Sequence, residues 1–145
     1  MKFAAALSAS VLAGAAFLAP AARAQGAMPM DTPTTIGGVE TVCTGIGEQA
    51  QNPQWLAYPV RLDFSNGGAQ YLSGAHVELA SASGRPILSL DCNGPIVLFR
   101  LEPGTYKVSA SLMSQPGGGT ASATFAAPRS GQKRVVLDFS IKPNQ

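Results

Sequence analysis

The chain is short of charge. Only 12% of its 145 residues are Asp, Glu, Lys or Arg, about half the share usual in soluble domains. Ten basic and eight acidic side chains leave a formal net charge of +2. That balance excludes a highly charged disordered chain and a strongly basic nucleic-acid binder, and Lys133-Arg134 is the one adjacent basic pair. A single histidine, His76, excludes any site that draws two imidazoles from one chain. The two cysteines, Cys43 and Cys92, form no C-x-x-C motif, which argues against a thioredoxin-type redox pair or a cysteine-rich zinc site. There is no G-x-S-x-G elbow. No window carries apolar residues at i, i+3, i+4 and i+7 over the length of a helix. Beyond Ala19, no apolar stretch approaches the ~20 residues of a membrane span.

What is present begins with a targeting segment. Lys2 gives a short positive start, and a run from Phe3 to Ala19 is mostly Ala, Leu, Val and Phe. Pro20 breaks the run, and Ala22-Arg23-Ala24 has the small-x-small pattern of a signal-peptidase site. Residues 1–24 therefore read as a secretory signal peptide, with Gln25 as the first mature residue. A membrane anchor fits less well, because the run is short and holds Ser8, Ser10 and Gly14. No Cys follows it, which argues against a lipoprotein anchor. The expectation is an exported protein, periplasmic or extracellular, with no stable membrane insertion after cleavage. Loss of Lys2 and Arg23 leaves eight basic and eight acidic groups and a net charge of zero. The hydrophobic share falls to about 40%, ordinary for a soluble domain.

The remainder reads as strands. Residues 25–38 are rich in Pro, Gly, Thr and Met without a period and predict a flexible lead-in, so the folded domain is expected over 39–145. Val39–Cys43 is short and β-branched. Tyr58, Val60, Leu62 and Phe64 alternate with Pro59, Arg61 and Asp63. Pro59 marks an edge strand or a strand start. Ala75, Val77 and Leu79 alternate with His76 and Glu78; Leu88, Leu90 and Cys92 alternate with Ser89 and Asp91. Ile96–Phe99 is a continuous apolar run, as in a central strand covered on both faces. Tyr106–Leu112, Thr120–Ala126 and Arg134–Ile141 complete the set. Turn signals at Asn66-Gly67-Gly68, Ser83-Gly84-Arg85-Pro86, Asn93-Gly94-Pro95, Glu102-Pro103-Gly104 and Pro116–Gly119 separate them. The fold class predicted is all-β: a sandwich of seven to eight strands, antiparallel or mixed.

One stretch is similar to a known family. Gly74-Ala75-His76-Val77-Glu78-Leu79, the turn at Gly84, and Leu101-Glu102-Pro103-Gly104-Thr105-Tyr106-Lys107-Val108 together resemble the carboxypeptidase regulatory-like domain. The resemblance covers about 40 residues well, from Gly74 to Leu112, and the later strands loosely. It implies a transthyretin-like β-sandwich and a module without catalysis of its own, standing beside enzymes, receptors or adhesins or alone in exported proteins. Asp91-Cys92-Asn93-Gly94-Pro95 and the added N-terminal strand with Cys43 depart from the family pattern.

Candidate functional residues are few. An even cysteine count in an exported chain predicts a structural disulfide between Cys43 and Cys92. His76 lies beside Glu78 on a polar strand face, where a solvated strand histidine is the plain reading and a general base the sharper one. Gly45 and Gly47 lack the helix N-terminus and lysine of a phosphate cradle. Met28 and Met30 could offer two thioethers to Cu(I). Trp55, Tyr58 and Tyr71 are the candidates for a binding face: amides beside Trp55 suit sugar recognition, and a cap on the core is the competing role. Arg61, Arg85 and Arg100 sit at different strand positions. No cofactor is indicated. The function expected is an exported non-catalytic module, structural or binding an envelope protein or glycan, with an exposed sheet edge as one partner surface. The alternative is a small hydrolase or an accessory subunit of an envelope enzyme.

Overall fold

The computed structural model describes residue 14 and residues 21–48, 51–67, 70–114 and 119–139. The apolar run Phe3–Ala19, Gly14 apart, lies outside the described residues, as do Pro116–Gly118 and Ile141. Among the described residues eleven strands occur: β1 (Ala22–Ala27), β2 (Thr34–Ile36), β3 (Val39–Thr44), β4 (Val60–Asn66), β5 (Gln70–Tyr71), β6 (Ala75–Ser81), β7 (Pro86–Cys92), β8 (Ile96–Arg100), β9 (Gly104–Leu112), β10 (Thr120–Ala127) and β11 (Lys133–Asp138). A 3-10 turn, Pro53–Ala57, is capped by the Asn52 side chain, which accepts from Gln54 N at 3.1 Å. No helix among the described residues is long and apolar enough to cross a membrane.

The strands form two mixed sheets, an all-β arrangement consistent with a sandwich. One sheet has the order β1-β7-β6-β9-β10, and the other β11-β4-β8-β3-β2, with β5 added to β4. Both terminal strands join in parallel, β1 to β7 and β11 to β4, and the remaining pairings are antiparallel. Alternation along each strand puts one set of side chains between the sheets. Val77, Leu79, Leu88, Leu90 and Val108 from the five-stranded sheet meet Leu62, Phe64, Val97, Phe99 and Leu137 from the six-stranded one. β8 occupies the middle of its sheet, and both its faces are buried, as its unbroken apolar run predicts. Pro59 stands just before β4, so it marks a strand start. Its carbonyl accepts from Lys133 N at 2.8 Å.

Cys43 on β3 and Cys92 on β7 are joined by a disulfide with a Cα–Cα distance of 5.6 Å. It links the two sheets through the core. In the chain-entropy model, a closure over 49 residues stabilises by about 4 kcal/mol.

The lead-in differs from its expectation. Residues 25–38 hold half of β1 and all of β2, and Met28 and Ile36 are buried in the core. Met28 N donates to Asp91 O at 2.9 Å, and Asp31 N to Cys43 O at 2.8 Å. Pro29 and Pro33 interrupt the segment, and it passes from one sheet to the other, so no period of two develops along it. The predicted cleavage bond, Ala24–Gln25, falls inside β1: Ala22 and Arg23 pair with Leu88 and Ser89 before it, and Ala27 with Asp91 after it. β2 and β5, of three and two residues, are too short to leave an alternation in the sequence.

Candidate functional site

The outer faces of the two sheets are built differently. On the six-stranded sheet, Val42, Ile96 and Leu98 point away from the main core, and alone they would expose an apolar patch. The 3-10 turn lays Trp55 and Tyr58 over them as a second, small core. The two rings meet edge to face at 6.0 Å. Gln132 Nε2 donates to Trp55 O at 2.9 Å and to Tyr58 O at 3.0 Å, tying the turn to the β10–β11 connection. Tyr58 OH donates to Glu40 Oε1 at 2.7 Å, Arg100 Nε donates to Glu40 Oε2 at 3.0 Å, and the Arg100 guanidinium sits 4.7 Å from the Tyr58 ring centre. The tyrosine hydroxyl, more than the Arg100 charge, holds the Glu40 carboxyl below its ordinary range. Burial, and then the hydrogen bond to Glu40, pushes the Tyr58 hydroxyl up.

Beside this cap lies a second polar network. Asp63, on β4, is fully buried, and its carboxylate accepts from Arg61 Nε at 2.7 Å and Arg134 Nε at 2.5 Å. Arg134 donates onward to Tyr71 OH at 3.2 Å. The Asp63 carboxylate raises the Arg134 pKa above its ordinary value.

These placements correct the proposed binding face. Trp55 and Tyr58 are each 3% exposed, so the amide-rich loop presents no aromatic platform. The competing role, a cap over apolar strand residues, is what their burial describes. Tyr71 is 38% exposed, but it lies with Ser65, Arg134 and Val136 instead of with the other two.

Among the described residues, no such cap covers the outer face of the five-stranded sheet. Strand register sets its side chains in rows across β7, β6, β9 and β10: Asp91, His76, Ser111, Thr120; then Ser89, Glu78, Ser109, Ser122; then Pro86, Ala80, Lys107, Thr124. Nearly all are short. The second and third rows floor a shallow open trough of about 720 Å³ that Ala21 and Gly84 help to line. Glu78 and Lys107 bring one charge of each sign to it.

At one end of these rows stands the lone imidazole. His76 Nδ1 and Asp91 Oδ1 are 2.6 Å apart, a contact in which the ring N–H donates to the carboxylate, and Nε2 lies 3.5 Å from Glu78 Oε1. Both ring nitrogens thus face carboxylates. Ser111 is directly opposite His76 in register, but its hydroxyl lies 3.4 Å from Thr120 Oγ1. The row Asp91–His76–Ser111 has the residue types of a triad without the base-to-nucleophile contact. The backbone N–H groups of β6 are spent on the ladders to β7 and β9, so this strand offers no paired donors for an oxyanion. Among the described residues no three His, Cys, Asp or Glu side chains are arranged to hold a metal ion.

Comparison with protein-family models, with curated proteins and with solved structures finds no match to this chain. Its reading rests on its own residues.

The two methionines do not form a pair. Met28 packs into the main core, and Met30 lies at the surface with Sδ 3.4 Å from Cys43 Sγ. Sequence reasoning missed two features. Asp63 alternates as a surface residue should, and only the parallel docking of β11 brings Arg134 onto it. The contact of Asp91 with His76 depends on the β6–β7 register, for which the turn at Ser83–Pro86 was the only advance signal.

Proposed function

We propose that this protein is an exported, non-catalytic β-sandwich module of transthyretin-like type, and that it binds a protein or glycan partner of the cell envelope on the outer face of its five-stranded sheet. One observation carries the reading: a second core and two charge networks cover one outer face, while no described residue caps the other. That face holds a trough of about 720 Å³ lined by Ser89, Ser109, Ser122, Thr124, Ala80 and Ala123, with Glu78 and Lys107 as its two charges. Short hydroxyl side chains cost little entropy to order. They offer donors and acceptors along a shallow surface, which suits an extended partner better than a small enclosed substrate. The low charge of the whole chain agrees with a contact surface of this kind. The residues from Gly74 to Leu112 that resemble the carboxypeptidase regulatory-like domain supply β6, β7 and β9, the middle of the same sheet, and β8 of the other.

The test is Ser109→Trp, which fills the middle of the trough from a half-buried strand position that faces it. Captured partners from envelope extract and a glycan array are compared for the native and substituted proteins. Loss of binding with an unchanged circular dichroism spectrum supports the reading; binding that survives Ser109→Trp overturns it. The Asp91–His76 pair favours a second reading, a small hydrolase or an accessory subunit. That reading requires turnover of an ester or amide substrate that His76→Ala abolishes.

A further inference from the structure

The segment Met28–Asp31 crosses the outside of the disulfide. Cys43 and Cys92 are both fully buried, while Met30 is 40% exposed and its Sδ lies 3.4 Å from Cys43 Sγ. Three contacts hold the strap down. Met30 pairs with Cys43 as a parallel bridge, Asp31 N donates to Cys43 O at 2.8 Å, and Thr44 Oγ1 donates to Asp31 Oδ1 at 2.6 Å. Asp31 takes φ 55°, a left-handed conformation that a non-glycine residue keeps only when its surroundings impose it. Beneath the strap, Gly94 leaves no room for a side chain: a Cβ there would strike Thr44 O and come within 2.8 Å of Met30 Cε. The thioether is therefore wedged between solvent, the Gly94 turn and the disulfide.

We propose that Met30 is an oxidation site that controls access to the Cys43–Cys92 disulfide. The thioether covers Cys43 Sγ; the sulfoxide uncovers it to thiols. The co-reactant is hydrogen peroxide or an equivalent two-electron oxidant. The Met30 sulfur lone pair attacks one peroxide oxygen, an S–O bond forms and the O–O bond breaks. The proton left on the new S–OH passes to the departing hydroxide. Sulfur is oxidised by two electrons, peroxide is reduced by the same two, and the products are the sulfoxide and water. The new oxygen is polar and needs hydrogen bonds that a disulfide does not supply, so the side chain turns towards water. With its wedge gone, the strap lets Asp31 relax from its left-handed conformation and exposes Cys43.

The test uses the 145-residue protein with the disulfide formed. It is treated with hydrogen peroxide, and sulfoxide at each methionine is measured by peptide mass spectrometry. The rate of disulfide reduction by dithiothreitol is then followed under native conditions. In that assay one dithiothreitol thiolate attacks a protein sulfur and releases the other as a thiolate, and the second thiol closes the ring and frees the first. Access governs the rate of such exchange, and oxidation at Met30 is expected to raise it about tenfold. Met30→Leu keeps the slow rate with or without peroxide. Met113→Leu responds as the native protein does, since Met113 is comparably exposed at 42% but lies against Gly74. Methionine sulfoxide reductase restores the slow rate to peroxide-treated native protein, an arm that needs no variant to fold. Met30 sulfoxide with an unchanged rate, an acceleration that persists in Met30→Leu, or one that the reductase does not reverse would each overturn the proposal.

Discussion

Trp55→Ala separates a capping role from a binding role. The indole is 3% exposed and rests on Val42, Ile96 and Leu98 with Tyr58 at its edge. A buried aromatic of this size removes roughly 200 Å² from water, which at about 25 cal/mol per Å² is about 5 kcal/mol. Aromatic-to-alanine changes in cores cost about 3–5 kcal/mol. The lower end applies, because Gln132 bonds the backbone carbonyls of Trp55 and Tyr58 and so holds the turn when the ring is gone. The expected loss is about 3 kcal/mol for Trp55→Ala and about 1 kcal/mol for Trp55→Phe, which keeps a ring in place. Urea unfolding followed by circular dichroism measures both, and at an m-value of about 1.5 kcal/mol/M the alanine variant's midpoint falls by about 2 M. Because the chain holds one Trp, fluorescence of the native protein reports unfolding of the cap itself, and its midpoint should coincide with the dichroism midpoint. A Trp55→Ala protein within 0.5 kcal/mol of native stability would refute the reasoning, the more so if it had lost a partner.

Two further outcomes follow from the same structure. The Glu40 carboxyl has its pKa lowered by the Tyr58 hydroxyl, so its contribution is present above about pH 4.5 and is lost as pH falls through the lower folded value. Tyr58 is raised by burial, so its contribution is present below about pH 10 and is lost as pH rises through the higher folded value. Tyr58→Phe should flatten the acid limb of a stability-versus-pH curve and shallow the alkaline one, where Tyr106, raised by its own burial, persists; unchanged limbs would count against the Glu40–Tyr58 bond. Separately, the folded unprocessed chain should resist signal peptidase at Ala24–Gln25, since that bond lies within β1, while the same chain freshly diluted from its reduced, unfolded state is cut. Equal cleavage rates would mean that β1 does not stay docked on β7.

Much of the architecture could be read before any coordinates. Of the eight strands legible there, β3 showed by its β-branched residues and β10 by the turn before it, five by alternating side chains, and β8 by an unbroken apolar run. The last two signals come from local geometry, a period of two on a surface buried on one or both faces. The three strands that escaped have local reasons too: β1 straddles the leader boundary, and β2 and β5 are too short to show a period. The disulfide was legible because Cys92 alternates with core leucines and each cysteine had one possible partner.

The sequence by itself determined the strand content, the turn positions, the cystine pair and the near-absence of charge, each a property of neighbouring residues or of a count. Tertiary structure decided which surfaces are free. Trp55 and Tyr58 look like a sugar platform until the outer face of β8 comes beneath them. Asp63 looks solvent-facing until β11 docks in parallel and places Arg134 on it. Met30 looks like tail until it lies across the disulfide. Burial and pairing of this kind depend on strand order and register, which set contacts between residues far apart in the chain, and no local period encodes them.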